Sequence, residues 1–134
     1  MAKIKHIITP EMEAAKAREA KVNQEVAVRN RLDKYVDTVQ QMQEDYFKVM
    51  NFTFSAPPSV ICQIKTKYAK IVKVDGLNGS SSVHSFVDLS NGNILKGNWK
   101  APIRTKKGLA VRGNIFAPDV SMYVNEHGPH YLRR

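Results

Sequence analysis

The sequence predicts an α+β fold: one long N-terminal α-helix followed by a small antiparallel β-sheet of four or five strands. Three observations predict it. Between Pro10 and Pro57 the chain has neither proline nor glycine, and a run so rich in Ala, Glu, Lys, Gln and Arg favours helix. From residue 59 the composition shifts to β-branched runs broken by Gly, Asn and Ser, the pattern of strands and turns. At Asn91-Gly92 two apolar-rich runs meet across a pair that tolerates the positive φ angles of a type I′ hairpin turn.

Taken in order, residues 1–10 form a basic arm in which Lys3, Lys5 and His6 alternate with Ile4, Ile7 and Ile8. Thr9 suits a helix cap, Pro10 the first helical position, and Glu11 and Glu13 the positive end of the helix dipole. The amphipathic region covers 11–55, with the helix running to about Val49. In its second half Val28, Leu32, Tyr35, Val39, Met42, Tyr46 and Val49 step by four and three, a three-heptad seam. The half before it is alanine-rich and weakly amphipathic. A helix of this length spans about 60 Å, more than a small sheet covers, so part of it is expected to be solvated, self-paired or partner-bound. The seam either packs the helix onto its own sheet or makes an oligomer or partner interface through helix 11–50. Tyr46, Phe47, Phe52 and Phe54 cluster at the joint between helix and sheet.

Ala56-Pro57-Pro58 opens the small β domain, 56–124. Runs 59–66 and 67–75 read as two strands, with Val60, Cys62 and Ile64 sharing one face of the first. Residues 76–82 read as a flexible loop, or through Asn78-Gly79 as a tight turn onto strand 83–88. The Asn91-Gly92 hairpin follows, then a basic loop, 96–112. Ala117-Pro118-Asp119 breaks the chain, 120–124 reads as one more short strand, and the tail 125–134 is expected to be mobile.

The 134 residues carry 21 Lys and Arg against 12 Asp and Glu, a net charge of +9. That balance directs attention to nucleic acid, an acidic protein or an anionic surface. The excess is concentrated. Lys96, Lys100, Arg104, Lys106, Lys107 and Arg112 fall in a stretch without a single acid between Asp88 and Asp119. With Lys70 and Lys73 on a neighbouring strand they are placed to contact phosphates, and Trp99 among them is either a base-stacking platform or a side chain packed on Pro102. DNA or RNA is the partner this pattern favours.

Chemistry other than binding has little to stand on. Neither a glycine-rich dinucleotide fingerprint nor a phosphate-loop signature occurs. One cysteine, Cys62, excludes an internal disulfide and a multi-cysteine zinc site and reads as a small buried hydrophobe. Of the four histidines, His127 and His130 lie in the tail without a carboxylate or cysteine arranged beside them, and His84 reads as a strand-surface residue. Asp88, at a strand end before a turn, is expected to bond backbone or pair with Lys96. The expectation is a non-enzyme with no cofactor, no metal and no small-molecule substrate. No apolar run reaches the ~20 residues of a membrane span, and no signal-peptide core is present.

Val83, Phe86-Val87-Asp88, Gly92-Asn93-Ile94, Lys96, Trp99-Lys100-Ala101-Pro102 and Arg112-Gly113-Asn114-Ile115 together resemble a segment of small uncharacterised tailed-phage proteins. The resemblance covers 82–116, about a quarter of the chain. It implies a phage origin and a small β module, and with them the host cytoplasm, or the virion, as location. The function expected is nucleic-acid binding through the basic loop. The alternative is a protein–protein module, an inhibitor of a host factor or a virion component, assembling through the long helix.

Overall fold

A computed structural model describes residues 9–51, 56–76, 79–106 and 108–130. The arm at 1–8, Phe52, Phe54, Asn78, Lys107 and the last four residues lie outside these. The helix α1 (Pro10–Met50) starts where its cap dictates: the Thr9 side chain accepts the Met12 N–H at 3.1 Å. It stops at Asn51, whose φ of 54° is the left-handed geometry that asparagine tolerates, and the Asn51 N–H returns to the Phe47 and Lys48 carbonyls.

The strands are β1 (Ser59–Ile64), β2 (Tyr68–Val74), β3 (Ser81–Asp88), β4 (Asn93–Leu95), β5 (Arg104–Thr105), β6 (Gly108–Leu109), β7 (Val111–Asn114), β8 (Val124–Asn125) and β9 (Gly128–Pro129). The main sheet is antiparallel in the order β1-β2-β3-β4-β7, while β5–β6 and β8–β9 are two short hairpins. The fold is thus α+β, with a fifth strand supplied by the end of the basic loop. Residues 120–124, expected as a strand, instead begin with a 3-10 turn (Val120–Met122) capped by the Asp119 carboxylate, which accepts from Ser121 N–H and Oγ. Residues 124–129 fold back as the β8–β9 hairpin rather than trailing as a mobile tail.

Turn chemistry sets the sheet. Gly79, at φ 71°, closes the turn from β2 to β3, donating to the Asp75 carbonyl, and Ser81-Ser82 already belong to β3. The Asn91-Gly92 turn forms, but only Gly92 has positive φ (80°), so it is not type I′. The reason is Asp88, whose carboxylate takes the Ser90 N–H and Oγ and starts the turn earlier; the Gly92 N–H then reaches back to the Asp88 carbonyl. In β3, Ser85 faces Ile71 while Val83 faces Val72, leaving His84 as a bulged extra residue.

The helix lies across one face of the sheet. Val28, Leu32, Tyr35 and Val39 are buried against Ala69, Ile71, Val87, Ile94, Ile115, Val120 and Val124, with Met42, Val60 and Cys62 packed at the margin. Of the two arrangements expected for the heptad seam, packing on its own sheet or an oligomer or partner interface, the stretch from Val28 to Met42 takes the first. Five strands offer an apolar face wide enough to take it, at about 1.5–3 kcal/mol per large buried side chain. Tyr46 is half-buried, edge-on to Phe47 and to His127, and Val49 is 81% exposed. Residues 10–27 are exposed throughout.

Polar side chains on the helix bind the sheet's borders. Gln40 accepts the Val60 N–H and donates to the Pro58 carbonyl, at the start of edge strand β1. Arg31 donates to the Ile115 and Ala117 carbonyls, just beyond the opposite edge strand β7. Gln43, 2% exposed, donates to the Glu126 carbonyl in the β8–β9 hairpin. On the sheet's other face, Lys70, Val72, Phe86 and Leu95 are buried without the helix. The segment after β4 folds over them.

Candidate nucleic-acid interface

That segment is a ribbon built from residues 96–110. Lys96 donates to the Ala110 carbonyl, Ile103 to the Lys96 carbonyl and Ala110 to the Ile103 carbonyl, and Gly97 pairs with Pro102. Its tip is a tight turn. Asn98 N–H donates to the Ala101 carbonyl while the Asn98 side-chain oxygen accepts from the Lys100 and Ala101 amides, so Trp99 and Lys100 occupy the two central positions. A second turn joins β5 to β6, with Gly108 at φ 110° and the Thr105 hydroxyl donating to the Gly108 carbonyl.

Gly97 lets the ribbon lie flat. A Cβ there would stand 2.4 Å from two carbons of the Phe86 ring. Beside it the Lys70 ammonium sits 3.6 Å from the centre of the Trp99 ring. Lys70 is only 8% exposed, so the indole face stands in for the water that its charge would otherwise need, a contact of about 2 kcal/mol when desolvated. Trp99 itself stays 51% exposed. The two readings of Trp99, stacking platform or packed on Pro102, are thus joined by a third arrangement, one ring face held by a lysine.

The cations expected to act together fall into three places. Lys100, Arg104 and Lys106 are exposed on the ribbon, with Trp99 and Lys70 at its tip. Lys73, on the opposite face of β2 from Lys70, donates to the Glu126 carbonyl at 3.2 Å. Burial lowers its affinity for the proton, with Glu126 acting in the other direction. Lys96 and Arg112 line a cleft of about 940 Å³ between the β4–β7 end of the sheet and residues 122–130. Lys107 lies outside the described residues.

Sequence reasoning missed His84. It is 3% exposed, not a surface residue, because the bulge turns it under the β8–β9 hairpin. Its Nε2 lies 2.7 Å from the Asn125 carbonyl and its Nδ1 2.8 Å from Ser85 Oγ, which is in turn 2.8 Å from the Tyr35 hydroxyl. A carbonyl can only accept, so the proton sits on Nε2 and the chain runs Tyr35 to Ser85 to His84 to Asn125. Ser85 is fully buried, so this hydroxyl–imidazole pair ties helix, sheet and hairpin together. Gly128 lets the hairpin close over it: at φ 139°, a Cβ there would lie 2.7 Å from the His84 carbonyl oxygen.

Burial pushes the His84 imidazole down to about 4, and Lys73 and His127 push the same way against the Asn125 carbonyl and Glu126. The unfolded chain takes up this proton near pH 6.5 and the folded chain near 4, so the stability that His84 contributes is complete above pH 6.5. It is lost as pH falls through 4, by about 3 kcal/mol. Urea denaturation between pH 4 and 7 is expected to show that decline, and His84→Gln to flatten it.

Among the described residues no three of His, Cys, Asp and Glu converge to hold a metal, and no helix is long and apolar enough to cross a membrane. Asp88 and Asp119 spend their carboxylates on turns. Burial, with Asp33 adding to it, pushes the Cys62 thiol up, away from thiolate chemistry. What the ribbon can do chemically is present positive charge and one aromatic face.

A family model described as a family of unknown function, DUF7717, matches residues 9–124. The chain belongs to that family. The DUF7717 match takes in the helix, the main sheet and the ribbon and stops at Val124, so all of the β8–β9 hairpin beyond its first residue lies outside it. No curated protein and no solved structure matches this DUF7717 chain.

Proposed function

We propose that the protein is a non-enzymatic, phage-type accessory protein that binds DNA or RNA through the ribbon 96–110, acting in the host cytoplasm. The observation that carries this reading is the ribbon itself: Lys100, Arg104 and Lys106 exposed around a half-exposed Trp99, in a stretch with no acid from Leu89 to Pro118. Cations along a thin ribbon laid over the sheet can follow a phosphate backbone, and the outer face of the indole is free to stack on an unpaired base.

The test is fluorescence anisotropy with labelled single- and double-stranded oligonucleotides across a salt series. Three phosphate contacts give a log–log salt slope of about −2 on single strands and about −3 on duplex. Lys106→Glu is expected to weaken all binding, and Trp99→Ala to weaken single-strand binding by about 1–3 kcal/mol. Absence of binding at low salt would sink the proposal.

A second reading, a protein–protein module working through the helix, is favoured by the exposed stretch 10–27, which extends about 27 Å and displays Met12, Val22 and Val26. It predicts that light scattering of the wild type gives a multiple of the chain mass, reduced by substitutions at Val22 and Val26 and not by Lys106→Glu.

A further inference from the structure

We infer that the cleft between the β4–β7 end of the sheet and residues 122–130 takes one unpaired guanine of a bound strand, held along its O6 and N7 edge by Arg112. The inference rests on the nucleic-acid reading above and adds a base preference to it. Phosphate contacts and a stacking ring do not discriminate between bases.

Arg112 supplies the decisive observation. Its Nε is buried and has no hydrogen-bond partner among the described residues. The contact seen for its terminal nitrogens is a long one, from Nη1 to the Val111 carbonyl at 3.5 Å. A buried N–H without an acceptor is costly, and the arginine fork is completed by two acceptors side by side in one plane. Guanine offers that pair at O6 and N7. Adenine sets an amino donor beside its N7, which repels the fork.

A phosphate or a carboxylate also offers two coplanar oxygens, but neither needs the room found here. The cleft measures about 940 Å³ and carries the planar side chains of Tyr123, His127 and His130 in its lining. A purine fills such a space, and its face lies well on a phenol or imidazole ring. Local geometry places the reader. The register shift in the β4–β7 pairing leaves Arg112 as the residue of β7 without a partner. At Gly113, beside it, a Cβ would stand 2.4 Å from the Tyr123 ring, so the missing side chain lets Tyr123 close against the strand. Gly97 lines the cleft as well, two residues before Trp99, so a strand stacked on Trp99 has the cleft within reach of a neighbouring nucleotide.

Fluorescence anisotropy of the full chain tests this, with labelled oligothymidylates that carry one central guanine, inosine, 7-deazaguanine, adenine or cytosine. Guanine and inosine share O6 and N7 and are expected to bind alike, about ten- to a hundredfold tighter than adenine or cytosine. 7-Deazaguanine, which lacks the N7 acceptor, is expected to lose most of that gain. Arg112→Ala is expected to bind all five alike, at the wild-type affinity for the adenine strand, with its melting temperature nearly unchanged. Lys106→Glu, on the ribbon, is expected to weaken all five by one factor and to keep the preference. Binding without a guanine preference, a preference for another base, or a preference that survives in Arg112→Ala overturns the inference and leaves the ribbon reading standing. Absence of any binding at low salt overturns both. Binding of a polyglutamate peptide that depends on Arg112, in a chain indifferent to guanine, assigns the cleft to an acidic protein and overturns the inference too. The 7-deazaguanine strand needs no protein variant, and equal binding of it and the guanine strand overturns the inference even where Arg112→Ala does not fold.

Discussion

Leu32→Ala is expected to destabilise the protein by about 2–5 kcal/mol, enough to unfold a marginal domain. Leu32 is 2% exposed in the middle of the helix–sheet contact, and its neighbours Val28, Tyr35 and Val39 are as deeply buried. Removing three carbons there leaves a cavity that the stiff sheet below cannot close. Val22→Ala, one turn and a half before the covered stretch, is expected to stay within about 0.5 kcal/mol. Denaturant melts of both variants at two protein concentrations check the point. A seam that served as an oligomer interface would give midpoints that move with concentration; a seam that is core gives midpoints that do not.

Gly97→Ala is expected to cost about 3 kcal/mol, the upper end for forcing an extra carbon into a packed site. The added Cβ would meet Phe86 Cδ2 and Cε2 at 2.4 Å and the Ala101 carbonyl oxygen at 2.8 Å, and Phe86 is a buried ring with no room to swing. The ribbon would have to lift, parting Trp99 from Lys70. Tryptophan fluorescence should report the change, and urea melts its cost. Because the fault is a steric one, Phe86→Leu in the same chain is expected to restore part of the loss, giving a non-additive pair. A double variant destabilised by the sum of the two single costs would mean that the ribbon does not rest on that ring.

Most of the architecture was legible because it rests on local chemistry. Thr9 and Pro10 announce the helix start, the four-and-three spacing from Val28 announces its covered face, and Asn91-Gly92 announces a hairpin. The period could not say what the covered face meets, since a sheet and a second helix ask for the same apolar stripe. The turn type was misjudged because Asp88, three residues upstream of Asn91, competes for the turn's amides. The candidate site was legible only as charge. Nothing local places Arg112 and His127 around one cleft, or Trp99 against Lys70: those placements depend on a bulge in β7 and on Gly97, which act through residues distant in sequence. His84 was misread for the same reason, since a strand's alternation says which face a residue takes but not where an extra residue interrupts it.

The side-chain amide of Gln40 imitates a neighbouring strand's peptide group at the start of β1, while Arg31 grips the chain as it leaves β7 on the far side. One helix therefore clasps both borders of the sheet. An edge strand as apolar and uncharged as Ser59–Ile64 invites a strand from another molecule to zip on, and here the first tooth is already taken. Peeling either border away also strips polar contacts from the helix, so sheet and helix come apart together, as a single cooperative unit.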